Sequence, residues 1–128
     1  QLWADSPYLE PIRESYRENK PIEWQRVHDL PEYAYFNHSI HISKGVGCAS
    51  CHGAIDEMPA IYQENTLQME WCLSCHRNPA PNIRPKSEIY NMKWKPIDMT
   101  AEQQTEVNET IKTIRSKEML TSCSTCHR

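Results

Sequence analysis

The stretch that decides the fold is FNHSIHISKGVGCASCHG, residues 36–53, in which two cysteines separated by two residues are followed at once by a histidine. The same arrangement returns twice, as MEWCLSCHR at 69–77 and LTSCSTCHR at 120–128. The chain's six cysteines are therefore three pairs, Cys48 with Cys51, Cys72 with Cys75, and Cys123 with Cys126, each completed by His52, His76 or His127. On one helical turn positions i, i+3 and i+4 share a face, so two sulfurs and one imidazole reach a single flat group. That is the attachment pattern of c-type haem. The sulfurs bond to the porphyrin, and the adjacent imidazole ligates the iron from the proximal side and helps set its potential.

Zinc and disulfides are the competing readings. Zinc needs four ligands per site, and six thiols with three contiguous histidines do not divide into tetrahedral sets at the usual spacings. Disulfides or a redox dithiol place no demand on the residue after the second cysteine. With histidine at about 5% of the chain, three such coincidences have a chance on the order of one in ten thousand.

Three histidines remain, His28, His38 and His41, for three sixth coordination positions. His38 and His41 lie one helical turn apart, ten residues before Cys48, and project to the same side, where they can serve two neighbouring haems. His28, in RVHDLPEY, precedes Pro31 in a segment unsuited to helix; it reads as a third ligand or as a loop histidine bonded to Asp29. Met58 and Met69 compete for that role, because a thioether also ligates haem iron. Arg77, Arg128 and Arg84 read as partners of haem propionates or as solvated cations.

Composition agrees with a fold filled by cofactor. Of 128 residues 38% are hydrophobic, with one Phe, three Gly and nine Pro, and the mean hydropathy is −0.77. So thin a core leaves the middle to something other than side chains, and backbone ordering at about 1–2 kcal/mol per residue must be offset by the bound groups. A net charge of −3, from 14 basic and 17 acidic residues, is the opposite of a nucleic-acid-binding footprint. No run approaches the roughly 18–20 apolar residues of a membrane-spanning helix. The opening at Gln1 has neither Met nor a signal-like apolar region, so a leader or anchor is expected to lie upstream or to have been removed.

The organisation is mainly α with long irregular loops, little or no β, and one domain over 1–128. Ser6 precedes a polar helical run from Pro7 to Lys20, and residues 21 to 35 are extended around Trp24 and His28. YFNHSIH opens a short helix, and KGVG bends the chain towards Cys48. Asn65 or Thr66 is expected to cap a helix through LQMEWCLSCHR, with Leu67 and Trp71 as i, i+4 neighbours over the second haem; Trp71 reads as a wall of that site rather than an electron relay. Residues 78 to 99, with four prolines and no period, read as a loop wrapped over the core. Thr100 and Gln103 form a capping-box pattern before a helix to about Leu120 with Val107, Ile111 and Ile114 on one stripe.

FNHSIH before GVGCASCHG, then MEWCLSCHRNP and LTSCSTCHR, resembles the class III multihaem cytochromes c, and more closely the pentahaem cytochrome subunit of alternative complex III, a bacterial quinol-oxidising membrane complex. The resemblance runs from SPYLEPIRESYRENKPIEW onward and makes this chain similar to the C-terminal three-haem part of a longer subunit. It implies three covalent haems with His52, His76 and His127 proximal and His28, His38 and His41 distal. His38 would serve the haem on Cys48 and Cys51, and His41 another, that on Cys123 and Cys126 being the candidate. It also implies the periplasmic side of the inner membrane, iron-sulfur and integral membrane quinol-binding partner subunits, and a cytochrome c or oxidase as acceptor. The function expected is electron relay without catalysis by the chain itself. A nitrite- or hydroxylamine-converting multihaem enzyme would need an iron with an open position, and a free periplasmic shuttle is the third reading.

Overall fold

A computed structural model of the protein describes residues 3–127. Seven short helices are joined by irregular chain: α1 (Glu10–Glu18), α2 (His38–Ser43), α3 (Ala49–His52), α4 (Met69–Arg77), α5 (Ala101–Lys112), α6 (Lys117–Leu120) and α7 (Cys123–Cys126). Single 3-10 turns lie at Pro7–Leu9, Ala80–Asn82, Lys86–Glu88 and Pro96–Asp98. Among the described residues the only β pairing is two isolated antiparallel bridges, Ala34 with His127 and Val46 with Ile83. The mainly α, loop-rich class expected from the sequence is the class observed.

Local chemistry explains where the helices start. Asn37 caps α2, its Oδ1 accepting from the Ser39 backbone N–H at 2.9 Å. The capping box expected at α5 is formed: Thr100 Oγ1 accepts from the Gln103 N–H at 3.2 Å, and Gln103 Oε1 accepts from the Thr100 N–H at 3.0 Å. Pro11 sits within the first turn of α1, where its missing N–H breaks no intrahelical bond, and Asn19 closes that helix in the left-handed conformation at φ 51°.

Three expectations change. The fourth helix begins at Met69 and not at an Asn65 or Thr66 cap; Leu67 is left-handed at φ 52°, and Asn65 Nδ2 instead donates to the Cys51 carbonyl at 3.0 Å. Leu67 and Trp71 are thus not two positions of one helix. The helix expected to run to Leu120 breaks between Lys112 and Lys117. Lys44 Nζ donates to the Thr113 carbonyl at 3.2 Å and to its Oγ1 at 3.0 Å, while Ser116 turns to extended backbone before α6. Lastly, the proline-rich segment 78 to 99 does not merely wrap the core. It supplies it.

Among the described residues the buried apolar side chains are Ile83, Pro85, Ile89 and Val107, three of them from that segment. Arg84 donates its backbone N–H to Gly45 O at 2.8 Å, and the Cys48 N–H donates to Ile89 O at 3.0 Å, so the chain entering the first CxxCH turn is laced onto the segment 83–89. Gly45 is required there: its φ is +80°, and a Cβ would come within 2.8 Å of the Arg84 carbonyl oxygen. With so few buried side chains, each carries a large share of the packing. Ile83 is 2% exposed, and Ile83→Ala is expected to cost about 2–5 kcal/mol. Urea unfolding of the haem-loaded protein followed by far-ultraviolet circular dichroism checks this: the midpoint falls, and an unchanged midpoint would mean that this cluster contributes little.

Candidate functional site

Each Cys-x-x-Cys-His unit lies on or against one turn of helix, as the i, i+3, i+4 geometry requires: α3 carries Cys51 and His52 after Cys48 at its cap, α4 carries Cys72, Cys75 and His76, and α7 carries Cys123 and Cys126 before His127. None of the six cysteines is joined in a disulfide. Burial pushes the Cys51 thiol up to about 11, with Cys75, Cys72 and Cys48 adding to it, and burial also raises Cys72 and Cys75. Cys72 is raised further by Cys126, which means that the units lie within electrostatic reach of one another. Among the described residues no three His, Cys, Asp or Glu side chains converge where they would hold a bare metal ion.

The histidines converge instead in pairs. His38 and His52 have ring centroids 6.3 Å apart with planes 9° from parallel, and His41 and His76 are 6.1 Å apart at 29°. Parallel rings in face contact would be about 3.5–4 Å apart. Two imidazoles binding one metal from opposite sides, each nitrogen about 2 Å from the metal and about 1.1 Å from its ring centre, have centroids about 6.2 Å apart. The side chains therefore fit bis-imidazole ligation at two sites. The pairing of His38 with the first unit is the one expected; His41 stands opposite His76 of the second unit and not His127 of the third. The reason is local, since α2 places His38 and His41 one turn apart and thereby presents them to two successive units.

Backbone carbonyls set the tautomers. His41 Nδ1 is 2.8 Å from Asn37 O, His76 Nδ1 is 2.8 Å from Leu120 O and His127 Nδ1 is 3.0 Å from Tyr33 O. A carbonyl only accepts, so in each case the proton is on Nδ1 and the Nε2 lone pair is left for a metal, the usual outer-shell arrangement of a ligating histidine. Burial lowers the pKa of His41, opposed by its bond to Asn37 and aided by His76 and His38; burial, His28 and His38 lower that of His52. Both favour the neutral, metal-binding form.

His28 does not face His127. Its ring meets the edge of His52 at 4.4 Å and 71°, too close for a pair across one metal, and its Nε2 is buried without a hydrogen-bond partner. Asp29, the alternative partner, pairs with Arg26 at 3.3 Å. His127 is faced by Tyr33, with centroids 6.0 Å apart. The C-terminal unit is held by the same segment, since the Tyr35 N–H donates to Cys126 O at 2.6 Å.

A cavity of about 470 Å³, within the range of cofactor sites, is lined by His28, His38, His41, His52, Cys48, Cys51 and Cys72, with Phe36, Leu67 and Trp71 among its apolar walls. Trp71 lines this cavity beside Cys72, together with the cysteines and histidine of the first unit. Neither methionine enters it: Met69 is exposed, and Met58 lines a separate cleft with Tyr62 and Glu64. Arg77 is an exposed partner of Glu70, Arg84 is buried against Asn91 and Trp94, and Arg128 lies outside the described residues.

Phe36, which composition alone does not single out, has its ring 4.6 Å from His38 and 4.5 Å from His41, wedged where it can fix both. Each aromatic contact is worth about 0.5–1.5 kcal/mol. In Phe36→Ala the haem content is expected to stay constant while the low-spin electron paramagnetic resonance signals of two haems broaden as the imidazoles gain freedom; unchanged line shapes would show that the rings are held by other contacts.

The family model described as cytochrome c3 matches residues 40–128, a span that takes in all three CxxCH units and His41 and leaves His28 and His38 outside it. No curated protein sequence matches the chain significantly. The match covers more than half of the chain and agrees with the thiol and imidazole geometry. The protein belongs to the cytochrome c3 family and is a multihaem cytochrome c, an electron-transfer protein of mainly α structure that binds c-type haems.

Proposed function

We propose that the chain carries three c-type haems, on Cys48 and Cys51, Cys72 and Cys75, and Cys123 and Cys126, and passes electrons between them. The observation that carries this reading is the pair of imidazole couples, His38 with His52 and His41 with His76, at the separation needed to hold one iron each. When bound, haem supplies the one-electron chemistry. The chain's own residues would do the rest: the cysteines would fix each haem in place, His52, His76 and His127 would ligate the irons, and His38 and His41 would supply second imidazoles at two of them. Since His38 and His41 both come from α2, one short helix would hold second ligands for two neighbouring haems. His28, with its orphaned Nε2 in the same cavity, is the remaining distal candidate.

The larger setting we propose is electron relay from a quinol-oxidising membrane complex of the alternative complex III type to a cytochrome c or terminal oxidase, on the periplasmic side of the bacterial inner membrane. Iron-sulfur and integral membrane quinol-binding subunits would be the neighbours, and the chain would be the C-terminal part of a pentahaem subunit. The supports are the resemblance of FNHSIH, MEWCLSCHRNP and LTSCSTCHR to that subunit and the surface of the N-terminal arm. There Tyr8, Tyr16 and Trp24 are 86%, 89% and 84% exposed, aromatic surface that a partner subunit could cover.

A second reading, a multihaem redox enzyme, is favoured at one place only. Among the described residues no histidine ring is paired with His127, whose nearest aromatic neighbour is Tyr33 at 6.0 Å, and an iron there without a second imidazole would keep an accessible position. Electron paramagnetic resonance of the oxidised protein separates the two: exclusively low-spin iron supports relay, and a high-spin signal at one haem in the unaltered protein supports the enzyme. His38→Ala and His41→Ala are each expected to convert one haem from low to high spin without loss of covalent haem. His28→Ala does the same if His28 is a ligand and leaves all signals low-spin if it only packs on His52. Both His38→Ala and His41→Ala remaining fully low-spin would contradict the assignment.

A further inference from the structure

Arg84 is the buried charge that electron transfer by imidazole-ligated haem leaves unexplained. It is 8% exposed and lies between Ile83 and Pro85 in the small apolar core, yet it makes no ion pair among the described residues. Its Nη1 donates to the Asn91 backbone carbonyl at 2.8 Å, and its guanidinium carbon lies 5.0 Å from the centre of the Trp94 ring. The nearby acid, Glu88, is engaged by Asn91 Nδ2 at 2.8 Å. The guanidinium presses on Gly47, the residue before Cys48, so closely that a Cβ there would meet its Nε at 2.1 Å and its Cζ at 2.4 Å. Glycine at 47 is what permits the approach. Burial lowers the pKa of the guanidinium while Cys48 and Glu88 raise it, which places its charge within electrostatic reach of the first thioether position; arginine stays protonated throughout.

A buried cation that forms no ion pair beside a redox centre has a definite effect. Reduction transfers one electron from the neighbouring donor haem, oxidised by one, to the acceptor iron, whose site becomes less positive by one charge. A fixed positive charge disfavours the oxidised state, and in a buried position it is screened far less than a surface lysine. We propose that Arg84 is a built-in positive charge, held against Gly47 by Asn91 and Trp94, that raises the reduction potential of the haem on Cys48, Cys51 and His52 above the value its two imidazoles alone would set. This rests on the assignment of a haem to those residues, and it makes that haem an electron-accepting point within the chain.

The test is an equilibrium redox titration of the haem-loaded protein, with the first haem identified as the one whose low-spin signal His38→Ala removes. Two neutral variants of different shape, Arg84→Met and Arg84→Gln, guard against one of them failing to fold. In either, the first haem is expected to become at least tenfold harder to reduce, a fall of 59 mV for one electron, with smaller changes at the other haems. Arg84→Lys, which restores the charge, should recover at least half of the loss. A first-haem midpoint that moves by less than twofold in equilibrium constant, an equal shift at every haem, or an Arg84→Lys variant as low as Arg84→Met would overturn the proposal. Mass analysis of the CASCH peptide from the same preparation keeps the two levels apart: a peptide without haem refutes the site assignment and the proposal together, whereas a loaded peptide with an unmoved midpoint refutes the role of Arg84 alone.

Discussion

The constraint on which the rest of this structure depends is the separation of imidazoles that come from different elements. A helix of six residues, α2, has to present one ring towards α3 and another towards α4, each about 6 Å from its partner and neither in contact with it. Side-chain packing does not hold such gaps open in a chain with so few buried apolar residues. The surroundings hold them: the Asn37 cap, the Phe36 wedge and carbonyls that fix the tautomers of His41 and His76. The short helices, isolated bridges and long connections then follow, because a chain that binds its cofactors covalently needs local turns at the attachment points and little regular structure between them.

The same constraint explains the distribution of charge and burial. Burial is the first cause of the lowered pKa of His41 and His52 and of the raised pKa of Cys51, three groups that line one apolar cavity. Most ion pairs, including Glu10 with Arg13 and Arg17, lie on the surface, where they add little to stability. Arg84 breaks the pattern. A cation in the core that is held by a carbonyl and an aromatic face and forms no ion pair costs desolvation energy, and a redox centre beside it would give that cost a function.

Much of this was legible in the sequence, for physical reasons that differ from residue to residue. The CxxCH units and the pairing of His38 and His41 follow from helical periodicity, which acts over four residues and needs no tertiary context. The Thr100–Gln103 box is equally local. What could not be read depends on long-range contacts. Ile83, Pro85 and Ile89 form the core from a proline-rich stretch without apolar period, because their burial comes from pairing with residues 45–48. The break after Lys112 reflects a lysine 69 positions away in sequence. Only the folded chain sets His41 against His76 and His28 against His52, since sequence distance does not rank partners drawn from separate loops. Gly47 was visible as a flexible residue, but its reason, the guanidinium above it, was not.

The central claim is that paired imidazoles from α2 and the CxxCH turns hold iron between them. Near-infrared magnetic circular dichroism of the fully oxidised, haem-loaded protein tests it most directly, because the energy of the porphyrin-to-iron charge-transfer band distinguishes axial ligand pairs. The account predicts bis-histidine bands from at least two haems, one of which disappears with His38 and the other with His41. Bands of histidine–methionine type at both, or bis-histidine bands insensitive to both substitutions, would contradict it.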